Sequence, residues 1–280
     1  MPNFSNSKNI LYQSPIYAEG DVHVGDIYNI QGAVRKIPFQ LNSLPFIAKE
    51  EVVGRKDDFT EVKKMLEVTD RLVLVNGVGG IGKTTLAKYF TTLSYQDYNY
   101  IAWVNNTSSI KEAFANDLAL IDSLHLKADL EALPQDKNWT EKAFVLILNR
   151  MRQLASDENG KKNLLILDNV GSDIEDLDIL EQVALKPNWK VLATSRNVLE
   201  GFKIFELLAL AKEEAMQLFY QHYRYEKNDQ LVEEILQRIA YHTLSIEVIA
   251  KTAEKRMLKL QEVLDIIKKK LPLFPILVPT

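Results

Sequence analysis

One nine-residue stretch limits what this chain can fold into: Gly77-Val78-Gly79-Gly80-Ile81-Gly82-Lys83-Thr84-Thr85. It follows the apolar run Leu72-Val73-Leu74-Val75 and precedes the helical pattern Leu86-Ala87-Lys88-Tyr89-Phe90. Strand, glycine-rich loop and helix in that order commit the chain to a sheet whose strand end turns sharply into a helix. Glycines without Cβ atoms let consecutive N–H groups turn inward around an anion. The helix that starts near Gly82 aims its positive end at the same place. In the spacing G-x-x-x-x-G-K-T, Lys83 supplies a point charge for β and γ phosphates, and the Thr84 hydroxyl is a ligand for Mg²⁺. Gly77, Gly79, Gly80, Ile81, Gly82, Lys83, Thr84 and Thr85 are therefore the candidate phosphate-binding residues.

The rest of the composition narrows the partners. A net charge of −4 argues against a general nucleic-acid binder. With no cysteine there are no disulfides and no thiolate metal sites. The four histidines, His23, His125, His222 and His242, stand singly and suggest no metal ligation. No apolar run approaches the length of a membrane span, and the first residues lack a signal-peptide pattern, so the expected location is the cytoplasm.

Residues 1–44 differ in texture from the remainder of the chain. Between Asn9 and Ile30, β-branched and aromatic residues alternate with polar ones and are broken by Gly20-Asp21 and Gly25-Asp26. That pattern predicts short strands with tight turns, too short to bury a core alone. The segment reads as a docked or loose tail, or as a weakly charged β-stacking unit of the cross-β kind. Residues 31–44 read as a linker, with Gly32, Pro38 and Pro45 working against regular structure.

From residue 45 to 208 the pattern is α/β. Val53-Gly54-Arg55 precedes a helix to about Leu66 that Asp57 or Asp58 can cap; upstream of a phosphate loop, this segment can wrap base and ribose. Tyr100 to Val104 reads as a strand, Ile110–Leu124 and Trp139–Leu154 as helices, and the two tryptophans as core. Leu164-Leu165-Ile166-Leu167-Asp168-Asn169-Val170 reads as a central parallel strand covered on both faces. Asp168 falls at its carboxyl end, where ligands bind in open sheets, and is the candidate second Mg²⁺ ligand. Asn169 stands where many phosphate-loop ATPases carry an acid. An amide orients a water but takes no proton from it, which implies slow hydrolysis or ATP held as a signal. Lys190 to Ser195 is a further strand, and Arg196 just beyond it is placed to read the γ phosphate. Ile204 to Leu208 completes five strands. Residues 209–270 carry only helical spacings, four in number, and 271–280 form an apolar, proline-broken end.

Taken together, these residues resemble the NB-ARC branch of the STAND signalling ATPases from about Phe46 to Lys270. Val53-Gly54-Arg55 looks like the family's adenine-side motif and Gly77–Thr85 its Walker A. Leu164–Val170 resembles Walker B, with Asn169 where a second Asp is usual. Thr194-Ser195-Arg196 is similar to the γ-phosphate sensor. His242-Thr243-Leu244-Ser245-Ile246 falls where the family carries a Gly-Leu-Pro-Leu turn against the adenine, which puts Leu244 and Ser245 among the base-side residues; Ser245 replaces the proline. The segment ahead of the linker resembles, more loosely, short amyloid-signalling motifs of bacterial and fungal members. No stretch matches the family's winged-helix domain or its sensing repeats, so the resemblance implies nucleotide binding and self-assembly more firmly than a complete ADP/ATP switch.

The expected fold is a parallel five-stranded P-loop sheet followed by a helical bundle and preceded by a β-rich tail. The expected function is an ATP- or ADP-binding, Mg²⁺-dependent signalling ATPase of innate immunity, antiviral defence or stress. It would assemble as a homo-oligomer, with Lys83, Asp168, Asn169 and Arg196 at the reacting phosphate. The alternative is a non-catalytic scaffold stabilised by nucleotide, whose residues 9–30 pair with an effector protein.

Overall fold

The computed structural model describes residues 37–69, 72–156, 160–171, 174–183, 187–199 and 201–270. The β-rich reading of residues 9–30 and the apolar end at 271–280 lie outside them. Among the described residues the sheet has five strands: β1 (Val73–Asn76), β2 (Ile101–Asn105), β3 (Asn163–Val170), β4 (Trp189–Ser195) and β5 (Lys203–Glu206). Their order is β2-β3-β4-β1-β5 and every pairing is parallel. All carboxyl ends therefore share one edge of the sheet. The loop after β1 and the Asp168 end of β3 are separated by a single strand, β4.

Alternation along the strands builds two cores. Leu74, Ala102, Val104, Leu165, Leu167, Val191 and Ala193 face one way, against α3 (Ile110–Ala115), α4 (Leu118–Ser123), α5 (Lys127–Glu131), α6 (Trp139–Arg152) and α7 (Ile174–Val183). Val73, Val75, Ile101, Trp103, Leu164, Ile166 and Leu192 face the other, against α1 (Lys56–Val68) and α2 (Lys83–Ser94). Both faces are covered, which is why β1 and β3 read as unbroken apolar runs. A third core joins α8 (Lys212–His222), α9 (Asp229–Arg238), α10 (Thr243–Arg256) and α11 (Leu260–Lys270), and Val53 belongs to it. None of the described helices is long and apolar enough to cross a membrane.

Three local readings of the sequence change. Residues 37–44 are not free linker. Ile101 N–H donates to Phe39 O at 3.0 Å and Leu41 N–H to Ile101 O at 2.9 Å, and Leu41 is fully buried. The Asn42 amide then continues the ladder, accepting from Trp103 N–H at 2.9 Å and donating to Trp103 O at 2.6 Å. An edge strand's unpaired backbone is satisfied this way, and proline is tolerated there because one side needs no donor. The single helix expected over Ile110–Leu124 is two helices. Asp117 breaks the run by accepting Leu120 N–H at 2.9 Å, which makes it the cap of α4. The cap of α1 is Arg55 rather than Asp57 or Asp58, which lie in the first turn. Arg55 is pinned by its own side-chain contacts, so the helix starts earlier than the acidic pair suggests.

Candidate functional site

The loop between β1 and α2 shows where its backbone polar groups go. Lys83 Nζ donates to Gly77 O at 2.7 Å and to Val78 O at 2.9 Å. Gly79 O faces His242 Nε2 at 2.7 Å, Gly80 O accepts from Leu244 N–H at 3.1 Å, and Ile81 O accepts from Arg55 Nη2 at 2.8 Å and the Thr243 hydroxyl at 3.0 Å. Gly82 O accepts Leu86 N–H at 2.8 Å. Every carbonyl from Gly77 to Gly82 thus has a donor within the protein. The N–H groups of Gly79, Gly80 and Gly82 find no protein acceptor among the described residues. A loop whose acceptors are spent and whose donors are spare is an anion cradle. Gly80 and Gly82 have φ of +77° and +109°, and a Cβ on Gly80 would lie 2.8 Å from His242 Cε1.

A carboxylate stands across β4. Asp168 Oδ1 accepts the Thr84 hydroxyl at 2.9 Å and the Thr194 hydroxyl at 2.6 Å. The Thr194 oxygen in turn accepts Asn169 N–H at 2.8 Å. Thr194, on the intervening strand, is the strut that holds Asp168 toward α2. Between Leu167 and Val170 the β3–β4 register shifts. Asn169 sits at that bulge with φ of +65°, a left-handed conformation that asparagine tolerates better than most residues. Its amide donates to Asn106 O at 2.9 Å. The residue type at 169 thus has a conformational reason beside any chemical one.

Two cations converge. Arg196 follows β4 directly, is exposed, and its guanidinium passes 3.8–3.9 Å from where a Gly79 Cβ would stand. Burial pushes the Lys83 ammonium below its usual range, and the positive charge of Arg196 adds to this while Asp168 opposes it. A buried lysine beside an arginine is a site that gains from an anion. The cavity between them measures about 310 Å³ and is lined by Gly80, Gly82, Lys83, Thr84, Thr85, Asn169, Thr194, Arg196, Thr243, Leu244 and Glu247. A larger cleft of about 390 Å³ along β2 and α3 is lined by none of these loop donors and by neither cation.

The residues expected on the base side divide. Leu244 lines the cavity and is half exposed. Val53 is buried in the bundle core, Gly54 (φ of +68°) lies against Glu214, and Ser245 Oγ is 2.9 Å from His242 Nδ1. Arg55 is 5% exposed and binds Asp58 at 2.9 Å, Leu208 O at 3.1 Å and Ile81 O at 2.8 Å. These four do not line the cavity; of them Arg55 bonds the loop, at Ile81 O, while Val53, Gly54 and Ser245 make their contacts with the bundle. The sequence pattern assigns no individual role to His242, Thr243, Thr194 or Glu247. Only Thr194 has a local signal, its place at the polar end of a strand.

The oxygen donors fit a hard divalent cation. Thr84 Oγ1 and Asp168 Oδ1 are already within hydrogen-bond distance, and one carboxylate with one hydroxyl is the sparse protein set that Mg²⁺ shares with waters and phosphates. No cluster of three or more His, Asp or Glu able to hold a metal occurs among the described residues.

Strand order, loop and facing carboxylate define a nucleotide-binding P-loop module of the α/β class. Among solved structures the chain is similar to the Walker-type ATPase paby2304 of Pyrococcus abyssi, with a TM-score of 0.53 and 13% identity over 82% of this chain and 75% of that one. At that identity the likeness speaks to the fold. A family model described as the NB-ARC domain matches residues 55–230, more than half of the chain, and the chain belongs to the NB-ARC family. It is 24% identical over 213 residues to a putative disease resistance protein of Arabidopsis thaliana, covering 70% of this chain and 18% of that protein. It is 27% identical over 207 residues to the TMV resistance protein N of Nicotiana glutinosa, covering 69% and 17%. The chain spans less than a fifth of the length of these relatives.

Proposed function

We propose that this chain binds Mg·ATP and its product ADP as the nucleotide module of a defence or stress signalling protein, that it hydrolyses ATP slowly, and that it assembles with copies of itself. The single observation behind the reading is the corner where Thr84 and Thr194 both donate to Asp168 opposite Lys83 and Arg196. In this reading the N–H groups of Gly79, Gly80 and Gly82 and the Lys83 ammonium take the phosphates, and Arg196 reads the γ phosphate. Thr84 and Asp168 would hold Mg²⁺, which when bound neutralises charge on the phosphate oxygens. Leu244 supplies an apolar wall for the base. The defence role rests on the resistance proteins named above, and self-assembly on the family resemblance.

Calorimetric titration with Mg·ATP and Mg·ADP tests the nucleotide, and sedimentation with and without Mg·ATP tests assembly. Binding that survives Lys83→Ala at full affinity would sink the site. A monomer at every nucleotide condition would remove the self-assembly part alone. A second reading, ATP as a structural ligand of a non-catalytic scaffold with residues 9–30 pairing with an effector, is favoured by Asn169. Its amide is spent on Asn106 O and it carries no carboxylate. Absence of phosphate release from a chain that binds ATP would select it.

A further inference from the structure

The helical bundle ends in two turns that are tied together. Residues 223–228 join α8 to α9, and residues 257–259 join α10 to α11. Glu254 Oε2, in the last turn of α10, accepts the N–H groups of Arg224 and Tyr225 at 2.7 and 3.1 Å. Glu226 Oε2 accepts Leu260 N–H at 2.8 Å, and the buried Tyr223 donates its hydroxyl to Leu258 O at 2.8 Å. The two turns are therefore one braced platform. α10 starts beside the glycine loop, and its 14 residues set the platform about 20 Å from it.

Charge is sorted across this platform. Its carboxylates are committed to the protein's own donors: Glu254 and Glu226 as above, Glu262 to Lys259 N–H at 2.8 Å, and Asp229 to the Tyr220 hydroxyl at 2.8 Å. Arg224, Lys255, Arg256 and Lys259 are exposed, and their side chains have no partner among the described residues. Elsewhere on the bundle, Lys212, Arg238, Lys251 and Lys268 each hold a glutamate. Tyr225 follows Arg224 and is half exposed, on a turn that its own N–H bond fixes. Uncommitted cations beside a bared aromatic ring offer what a single-stranded nucleic acid needs, charge for its phosphates and a face for a base. A bilayer surface asks for a wider apolar face than Tyr225 and Met257 expose. We propose that this end of the bundle binds single-stranded nucleic acid, with Tyr225 stacking on a base and Arg224, Lys255, Arg256 and Lys259 holding phosphates. The net charge of −4 disfavours contact over the rest of the surface and confines it to this platform. The site is separate from the phosphate cavity, which meets α10 at its other end through Thr243 and Leu244.

The test is fluorescence anisotropy of labelled oligothymidylate and oligouridylate, each about 16 nucleotides long, titrated with the full chain. Binding is expected with a Kd of about 10 μM or tighter at low salt. It should weaken with salt at a log–log slope of about −3, the release expected for four phosphates of a single strand. Tyr225→Ala should weaken binding about tenfold at the same slope, and Tyr225→Phe should restore it, because stacking needs the ring and not the hydroxyl. Arg256→Ala should make the slope shallower by about 1. Both side chains are exposed, so the variants should melt as the parent does. Excess Mg·ATP should displace neither oligomer. Tighter binding of one oligomer supports the proposal and assigns DNA or RNA; equal binding supports it as contact with backbone and base faces common to both. No binding of either oligomer, parent-like affinity in Tyr225→Ala, an unchanged slope in Arg256→Ala or displacement by Mg·ATP would each overturn it. Capture of the chain by phosphatidylserine vesicles but by neither oligomer would overturn it in favour of a membrane surface. None of these outcomes alters the ATP titrations above, so the two readings fail separately.

Discussion

The glycine loop is gripped from two sides by different chemistry. On the sheet side, two threonine hydroxyls converge on one carboxylate oxygen, and a lysine and an arginine face them across a cavity. On the bundle side, Arg55, His242, Thr243 and Leu244 hold the carbonyls of Gly79, Gly80 and Ile81. The sheet side consists of groups that change partners readily: hydroxyls, a carboxylate and flexible cations. The bundle side is a set of donors already matched to acceptors. In the reading proposed above, ligand binding falls to the first grip, while the second joins the helical bundle to the loop. Lys83 on the first grip holds the carbonyls of Gly77 and Val78, and the second grip holds those of Gly79, Gly80 and Ile81, so the two meet on one loop.

Substitutions can separate the two grips. The largest expected effect is on the sheet side. Lys83→Ala removes the charge nearest the loop and should cost about 3 kcal/mol of nucleotide binding, more than 100-fold in Kd, since a desolvated charge loses its partner. Thermal stability should change little, because the burial of the ammonium and its repulsion from Arg196 offset its bonds to Gly77 O and Val78 O. A large fall in melting temperature with little change in affinity would merge the two grips into one.

On the bundle side, Arg55→Leu leaves Leu208 O without the guanidinium and takes one of two donors from Ile81 O. The expected cost is about 2 kcal/mol of unfolding free energy, from loss of charged hydrogen bonds in a buried setting. Denaturant titration measures it. A loss below about 0.5 kcal/mol, the range of an ordinary surface substitution, would mean that the apolar core of α8–α11 with Val53 docks the bundle unaided.

What the sequence disclosed follows the same division. Unbroken apolar runs announced β1 and β3, because strands covered on both faces need no polar side. The motif spacing singled out Thr84 and Asp168, and these lie 2.9 Å apart. His242 and Gly79 are 163 positions apart in the chain, and no local period encodes a bond between a helix cap and a distant loop carbonyl. The Asn42 edge was missed because a side-chain amide there does the work of a peptide. The bulge at Asn169 was missed because a positive φ leaves no trace in a hydrophobic pattern.

A pH series sharpens the comparison on the sheet side. Burial first, and Arg196 second, hold the Lys83 ammonium below its ordinary value near 10.5. Phosphate favours the charged lysine, so the complex keeps a proton that the free site gives up. Affinity for ATP should therefore fall as pH rises above the free-site value, reaching about tenfold if the two differ by one pH unit. Stability of the free chain runs the opposite way. Between the lowered value and 10.5 the unfolded chain binds more protons at this position, so the Lys83 contribution to folding rises with pH. Calorimetry between pH 7 and the lysine range checks the first slope and thermal melts the second; equal signs would displace Lys83 from the cavity.

The smallest expected effect lies on the bundle side, at His242. Gly79 O can only accept, so Nε2 must carry the proton and Nδ1 must be free to accept from Ser245, 2.9 Å from its hydroxyl and 3.4 Å from its N–H. The ring thus caps α10 and holds the loop at once. His242→Ala removes both, at about 1 kcal/mol of stability in total, since one neutral hydrogen bond and a weak cap are lost while Thr243 and Leu244 keep theirs. Hydrogen exchange should quicken first at Leu244 and Ser245, whose N–H groups sit at this contact, and ATP affinity should shift less than in any sheet-side variant. His242→Gln, which can offer a donor to Gly79 O, should recover part of the protection. If affinity instead falls as far as in Lys83→Ala, the carbonyl face is a direct determinant of phosphate binding, and the loop works as a single unit.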